Sequence, residues 1–255
     1  MSDFGHQTPG LTWGCLFLWS MAFFLSLGYP RLSLGSCAED QVQIEGLVTY
    51  DGSIPSPIPI AEAATERNLI EVDSLTKGLK DAVVWLEGLD KPLSSDVQTL
   101  DEVVVMDQQN FFFLPHVLAI NSGQKVEFRN SDVANHGVNA TSIEPRNQFN
   151  VVTPPGGQYV HAFVRSTHPV AIGCPVHPAM AAWVFVFDHP YHAVADEKGH
   201  FKLPVISAGQ YTLKIQHPDG RLRKSEPLSL AAGKPVRLRV EFHEADRKTA
   251  PAKPD

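Results

Sequence analysis

The sequence predicts an all-β fold, a sandwich or a pair of them, and two observations carry that expectation. The 255 residues are punctuated by 20 prolines and 18 glycines, and the apolar runs between them are short, which suits many strands better than long helices. Those runs either alternate apolar with polar residues or are rich in Val, Ile and Phe. At 43% hydrophobic residues the chain is no disordered polymer and is long enough for one large or two small cores.

Taken in order, residues 42–50 alternate and end at Asp51-Gly52, a strand followed by a turn. Residues 53–60 hold three prolines and read as loop, and 61–80 as mixed chain with one short helix. Asp81 to Glu87 is a buried strand and 88–100 a polar linker. Three β-rich runs follow at 103–106, 111–114 and 117–120, then a turn at Asn121-Ser122-Gly123 and an alternating strand from Lys125 to Asn130. Ser131 to Asn139 is a polar loop holding His136. Strands recur near 149–152 and 158–164, and Ala181 to Phe187 is strongly apolar. Beyond Asp188 come a short strand at His200–Leu203, an alternating one at Tyr211–Gln216 and a last one at Val236–Phe242. Residues 244–255 read as a charged, disordered tail.

The first 38 residues differ from the rest. Leu11 to Leu27 is a run of 17 mostly apolar residues, and Ser36-Cys37-Ala38 offers a small-x-small cleavage site, the pattern of a secretory signal. No Lys or Arg precedes Arg31, so an uncleaved membrane anchor stays open. So does a lipoprotein signal, in which Leu34-Gly35-Ser36-Cys37 would place lipid on Cys37. All three readings put residues 39–255 outside the cytoplasm, in the periplasm or secreted. The net charge of −7 carries no basic nucleic-acid footprint. Cleavage after Ala38 leaves a single thiol, Cys174, which in an oxidising compartment points to a reactive thiol, an intermolecular bridge, a metal ligand or an inert core residue.

The neighbours of Cys174 favour the metal ligand. Residues 173–181 read Gly-Cys-Pro-Val-His-Pro-Ala-Met-Ala, setting Cys174, His177 and Met180 at C-x-x-H-x-x-M spacing with two stiffening prolines. A tight loop can turn these side chains toward one point, and thiolate, imidazole and a weak axial thioether are the ligands of a blue-copper site. The second imidazole has to come from elsewhere, and His136 fits. The other histidines, including His116 and the His189-x-x-His192 pair, show no metal spacing of comparable quality, and Trp85 and Trp183 read as core.

Residues 101–187 resemble the cupredoxin family, on Phe128-Arg129-Asn130-Ser131-Asp132 leading to His136 and on Cys174-x-x-His177-x-x-Met180; the short ligand loop is amicyanin-like. The resemblance implies a Greek-key sandwich holding one mononuclear type 1 copper through His136, Cys174, His177 and axial Met180. It implies an electron carrier rather than an enzyme, with a protein donor and acceptor docking near His177. Two departures bear on tuning. Gly137 stands where an Asn usually follows the first His, and Pro169 interrupts the segment before Cys174. A second resemblance, to the transthyretin-like carboxypeptidase regulatory module, rests on Gly46–Gly52, Ala82–Leu86, Gly199–Leu203 and Ala208–Leu213. These pieces flank the first module. The expected organisation is therefore a signal at 1–38, sandwich pieces at 39–100 and 188–243 around the cupredoxin at 101–187, and a tail at 244–255, with two modules in series as the alternative. Copper storage or delivery, and a metal-free docking sandwich, are the competing functions.

Overall fold

The computed structural model describes residues 40–89, 102–219 and 221–247. The expected signal, cleavage site and Cys37, most of the 88–100 linker and the tail beyond 247 lie outside these residues. The protein is all-β. In chain order the strands are β1 (Gln41–Tyr50), β2 (Ile58–Ile60), β3 (Thr65–Arg67), β4 (Val83–Glu87), β5 (Val104–Gln109), β6 (Phe112–Leu114), β7 (Val117–Asn121), β8 (Lys125–Asn130) and β9 (His136–Thr141). They continue as β10 (Phe149–Thr153), β11 (Gln158–Ala162), β12 (Val170–Gly173), β13 (Ala181–Phe187), β14 (His192–Val194), β15 (His200–Ser207), β16 (Gly209–His217), β17 (Leu222–Leu230) and β18 (Val236–Phe242).

Four sheets stack face to face. The outermost, β11-β8-β5-β6, packs against β10-β9-β12-β13-β7 around a core that includes Met106, Phe113, Val126, Phe128, Val138, Ile172, Met180 and Val184. At the other end, β14-β4-β16-β17 packs against β15-β1-β18 around Ile44, Val48, Tyr50, Leu86, Phe201, Ile215, Val240 and Phe242. The two inner sheets meet through a third, smaller cluster of Val83, Val117 and Phe185, flanked by Trp85, Trp183 and Phe187. Strands β5 to β13 build the first sandwich; the second draws its strands from both sides of that stretch, and β4 pairs directly with β14 across it.

The stack explains two runs of sequence. β4 sends Val84 and Leu86 into one core and Val83 and Trp85 toward the facing sheet, and β13 divides Ala182, Val184 and Val186 from Trp183, Phe185 and Phe187 in the same way. A strand buried on both faces reads as a continuous apolar run, and that is what both sequences are.

Several expectations need correction. Residues 61–80 contain no α-helix: a single 3-10 turn at Ala61–Ala63 leads into β3, which pairs back on β2 within the presumed loop. His136 opens a strand instead of sitting within a loop, because β9 begins there and pairs with β10 and β12. β17, with Pro227 inside it, was not foreseen; it is an edge strand, where a residue without an N–H is tolerated. Within the segment read as a disordered tail, Glu244–Asp246 form a 3-10 turn. Glu244 accepts hydrogen bonds from the Ser53 N–H and hydroxyl, each at 2.6 Å, and from Tyr50 Oη at 3.0 Å, so charge fastens this segment. No helix among the described residues is long and apolar enough to cross a membrane.

Candidate metal centre

The C-x-x-H-x-x-M loop joins β12 to β13, and its ends are clamped: Cys174 N–H donates to Met180 O at 3.2 Å, and Met180 N–H to His177 O at 2.9 Å. The loop therefore folds back on itself between two paired strands. β9 runs beside β12 and brings its first residue, His136, to the same end of the sandwich. There the two Nδ1 atoms of His136 and His177 face each other at 3.0 Å, and Cys174 Sγ lies 3.5 Å from His177 Nδ1. The donor atoms of His136, Cys174 and His177 all lie within 4.8 Å of one another, a group that could hold a metal ion. Met180 is fully buried in the core that contains Cys174.

The surroundings decide what these atoms present. His136 Nε2 lies 2.8 Å from Asp132 Oδ2. Burial raises the Asp132 pKa, but the Phe111 N–H, the His136 contact and the Asn110 N–H outweigh it and hold the carboxyl below its usual range. A carboxylate at Nε2 requires the proton there, which leaves Nδ1 of His136 with its lone pair facing His177 and Cys174. Desolvation, followed by the neighbouring His136, lowers the His177 pKa, while Glu62 and Asp132 oppose the shift; the imidazole is thus held toward its neutral form. Two imidazole nitrogens and a sulfur converging on one point are donors that a cation can share. An ion about 2.0 Å from imidazole nitrogen and about 2.3 Å from thiolate sulfur spans separations of this size. The donor set fits copper.

The sulfur has a further contact. Gly137 N–H points at Cys174 Sγ from 3.4 Å, so the backbone supplies a donor at the position where the side-chain pattern departs from the expected Asn. A side chain at 137 would crowd the loop: an ideal Cβ there lies 3.0 Å from Pro175 Cδ and 3.2 Å from Val151 O. Asn130 braces the approach to His136, donating to Ala134 O at 2.9 Å and Thr153 O at 2.7 Å and accepting from the Asp132 N–H. β12 starts immediately after Pro169, so that proline precedes the strand and does not break it.

Two participants were missed by reading the sequence. Asp132 was seen only as part of a segment; its place four residues before His136 was the available signal. Phe111 was assigned to a strand. It is the second residue of the Asn110-Phe111 turn between β5 and β6, with φ +65°, an uncommon conformation for a bulky side chain. Its N–H and that of Asn110 donate to Asp132 at 2.9 and 2.6 Å, and its ring sets an edge-to-face roof over both imidazoles, with centroids 4.9 Å from His177 and 5.3 Å from His136.

Among the described residues the remaining histidines are not part of this group. His189 and His192 lie with ring centroids 6.4 Å apart, and His192 Nε2 is bonded to Asn121. His116 is bonded to Asp219. Trp85 and Trp183 lie in the contact between the inner sheets.

No family model and no curated protein matches the chain. Among solved structures it is similar to amicyanin variants. One Cu(I) form is 16% identical over 33% of this chain and 82% of its own, with a TM-score of 0.30. A reduced form at pH 4 is 19% identical over 34% and 84%, with a TM-score of 0.31. An oxidised form is 17% identical over 37% and 89%, with a TM-score of 0.30.

Proposed function

We propose that this protein is a one-electron carrier, not an enzyme, that holds a single type 1 copper ion through His136 Nδ1, His177 Nδ1 and the Cys174 thiolate, with Met180 as the weak axial donor. The observation that carries the reading is the convergence of two imidazole Nδ1 atoms and one thiol at 3.0 and 3.5 Å, with Asp132 leaving the His136 lone pair turned inward. Thiolate with two imidazoles and a thioether is the copper electron-transfer set. Bound copper supplies the change of oxidation state. The protein's part is to keep the donors still and dry: His136, Cys174 and Met180 are 1%, 5% and 0% exposed. That burial argues against storage or delivery, which needs a ligand set that opens.

Only His177 leads outward. It is half-buried, and Pro175, Val176 and Pro178 around it are exposed, Val176 by 62%. In this reading the apolar rim is where a protein donor and acceptor dock, and His177 is the shortest way to the metal. Export, with or without a lipid on Cys37 or a retained anchor, belongs to the same proposal, because a lone thiol committed to a metal is at home where other thiols oxidise.

Replacing Met180 with Leu tests the function. In an electron carrier the variant keeps its copper and colour, and cyclic voltammetry shows a reversible wave at a higher potential than the parent. Loss of copper from Met180→Leu would overturn the carrier reading and favour delivery.

A further inference from the structure

A buried carboxylate of the second sandwich lies where three segments that end at the metal centre come together. Asp219 follows β16, and its side chain is 6% exposed. Its Oδ2 receives Arg67 Nη1 at 2.8 Å and His116 Nε2 at 2.7 Å, and its Oδ1 receives Trp183 Nε1 at 2.7 Å. Each partner stands on an arm. His116 is two residues past β6, and the residue just before that strand is Phe111, the roof over both imidazoles. Trp183 is three residues past Met180, in the strand that closes the ligand loop, and its backbone N–H donates to His116 O at 3.0 Å, tying these two arms together. Arg67 ends the β2–β3 hairpin, whose connecting turn carries Glu62, the acidic group whose charge bears on His177.

The neighbours of this anchor favour its ionised form. Burial raises the Asp219 pKa, but the His116 hydrogen bond and charge, Arg67 and the Trp183 N–H outweigh it and bring it down to about 2. Among the described residues Arg67 Nε has no hydrogen-bond partner, so Asp219 is the group that holds this buried guanidinium.

We propose that Asp219 is a positioning residue for the metal centre, contributed by the second sandwich, which sets the Phe111 roof, the Met180 end of the ligand loop and the Glu62 turn relative to His136 and His177. The proposal rests on the copper reading for its electrochemical consequence, but not for its geometry. A carboxylate shared by three arms fixes their mutual distances, as outer-sphere contacts fix metal ligands. The second sandwich is then part of the frame of the site and not an appended docking module.

The test uses Asp219→Asn, Trp183→Phe, which removes one of the three Asp219 contacts, and Lys224→Met. The last loses a contact to Asp246 and a cation–π contact to Phe242, away from all three arms. Imidazole resonances of His136 and His177 are recorded in the metal-free proteins by nitrogen–proton NMR, and the potential and the ratio of the visible thiolate-to-copper bands after loading. The expected result is that Asp219→Asn and Trp183→Phe displace both sets of imidazole resonances and shift the potential and band ratio at one copper per chain. Lys224→Met lowers the melting temperature and moves none of these. Variants that melt earlier but keep parental imidazole resonances would reduce Asp219 to a structural clasp and overturn the proposal. If Asp219→Asn does not fold, Trp183→Phe decides by the same readings. If the parent takes up no copper, the copper reading falls, and the metal-free resonances still decide the positioning role.

Discussion

Asp132 controls which nitrogen of His136 is free. With a carboxylate 2.8 Å from Nε2 the proton is held there and Nδ1 is a donor of electrons. Asparagine at 132 can present its amide N–H to Nε2, moving the proton to Nδ1 and blocking the site. Asp132→Asn is therefore predicted to weaken copper binding by about 10–100-fold, the usual cost of losing such an orienting contact. A competition titration against a chelator measures it, and parental affinity in the variant would show that the tautomer is set elsewhere. This scale also marks what the sequence could reveal. Cys174, His177 and Met180 are legible because one loop carries them. His136 is legible through the motif preceding it. Asp132 is signalled only by its place four residues before His136, whereas Phe111 reaches Asp132 across 21 residues, and no local pattern advertises a hairpin turn folded over a distant histidine.

At the scale of strands, β13 and β18 are found where their apolar or alternating runs place them, because burial on one or both faces writes itself into the composition. β17 is less legible because an edge strand tolerates Pro227 and exposed polar residues. The β2–β3 hairpin is too short to alternate visibly. The strands also carry buried imidazoles with a measurable consequence. His192, on β14, is bonded to Asn121 of the facing sheet, and burial, with some help from His189, lowers its pKa from 6.5 to about 4. His217, at the end of β16, is lowered from 6.5 to about 4, again chiefly by burial. A histidine with a depressed folded pKa contributes stability that is complete above its unfolded value and is lost as pH falls. The window for both is thus between pH 6.5 and about 4. Each contributes roughly 3 kcal/mol across that window. Chemical unfolding at pH 7 and pH 4.5 should show a loss of a few kcal/mol, and His192→Gln should reduce the difference. A stability flat across this range would contradict the burial of both groups as neutral imidazoles.

At the scale of the whole molecule, four stacked sheets give three buried layers, and the candidate metal centre lies at one end of the first sandwich, where the β12–β13 loop and the start of β9 meet. The all-β class was legible from punctuation and alternation alone. The contact between the inner sheets was not: Trp85, Trp183, Phe185 and Phe187 read simply as core, and only the fold assigns them to a surface between two sandwiches. Trp183, in that contact, donates its indole N–H to Asp219 at 2.7 Å, so on the positioning role proposed above the assembly of the stack and the geometry of the candidate site are linked. The measurement that tests the account most directly is a Cu(II) titration of the purified protein followed in the visible range, beside Cys174→Ser. The account predicts an intense thiolate-to-copper charge-transfer band that saturates at one equivalent, vanishes on reduction, returns on oxidation and is absent from the variant. A protein that stays colourless, or whose colour survives the loss of Cys174, would contradict it.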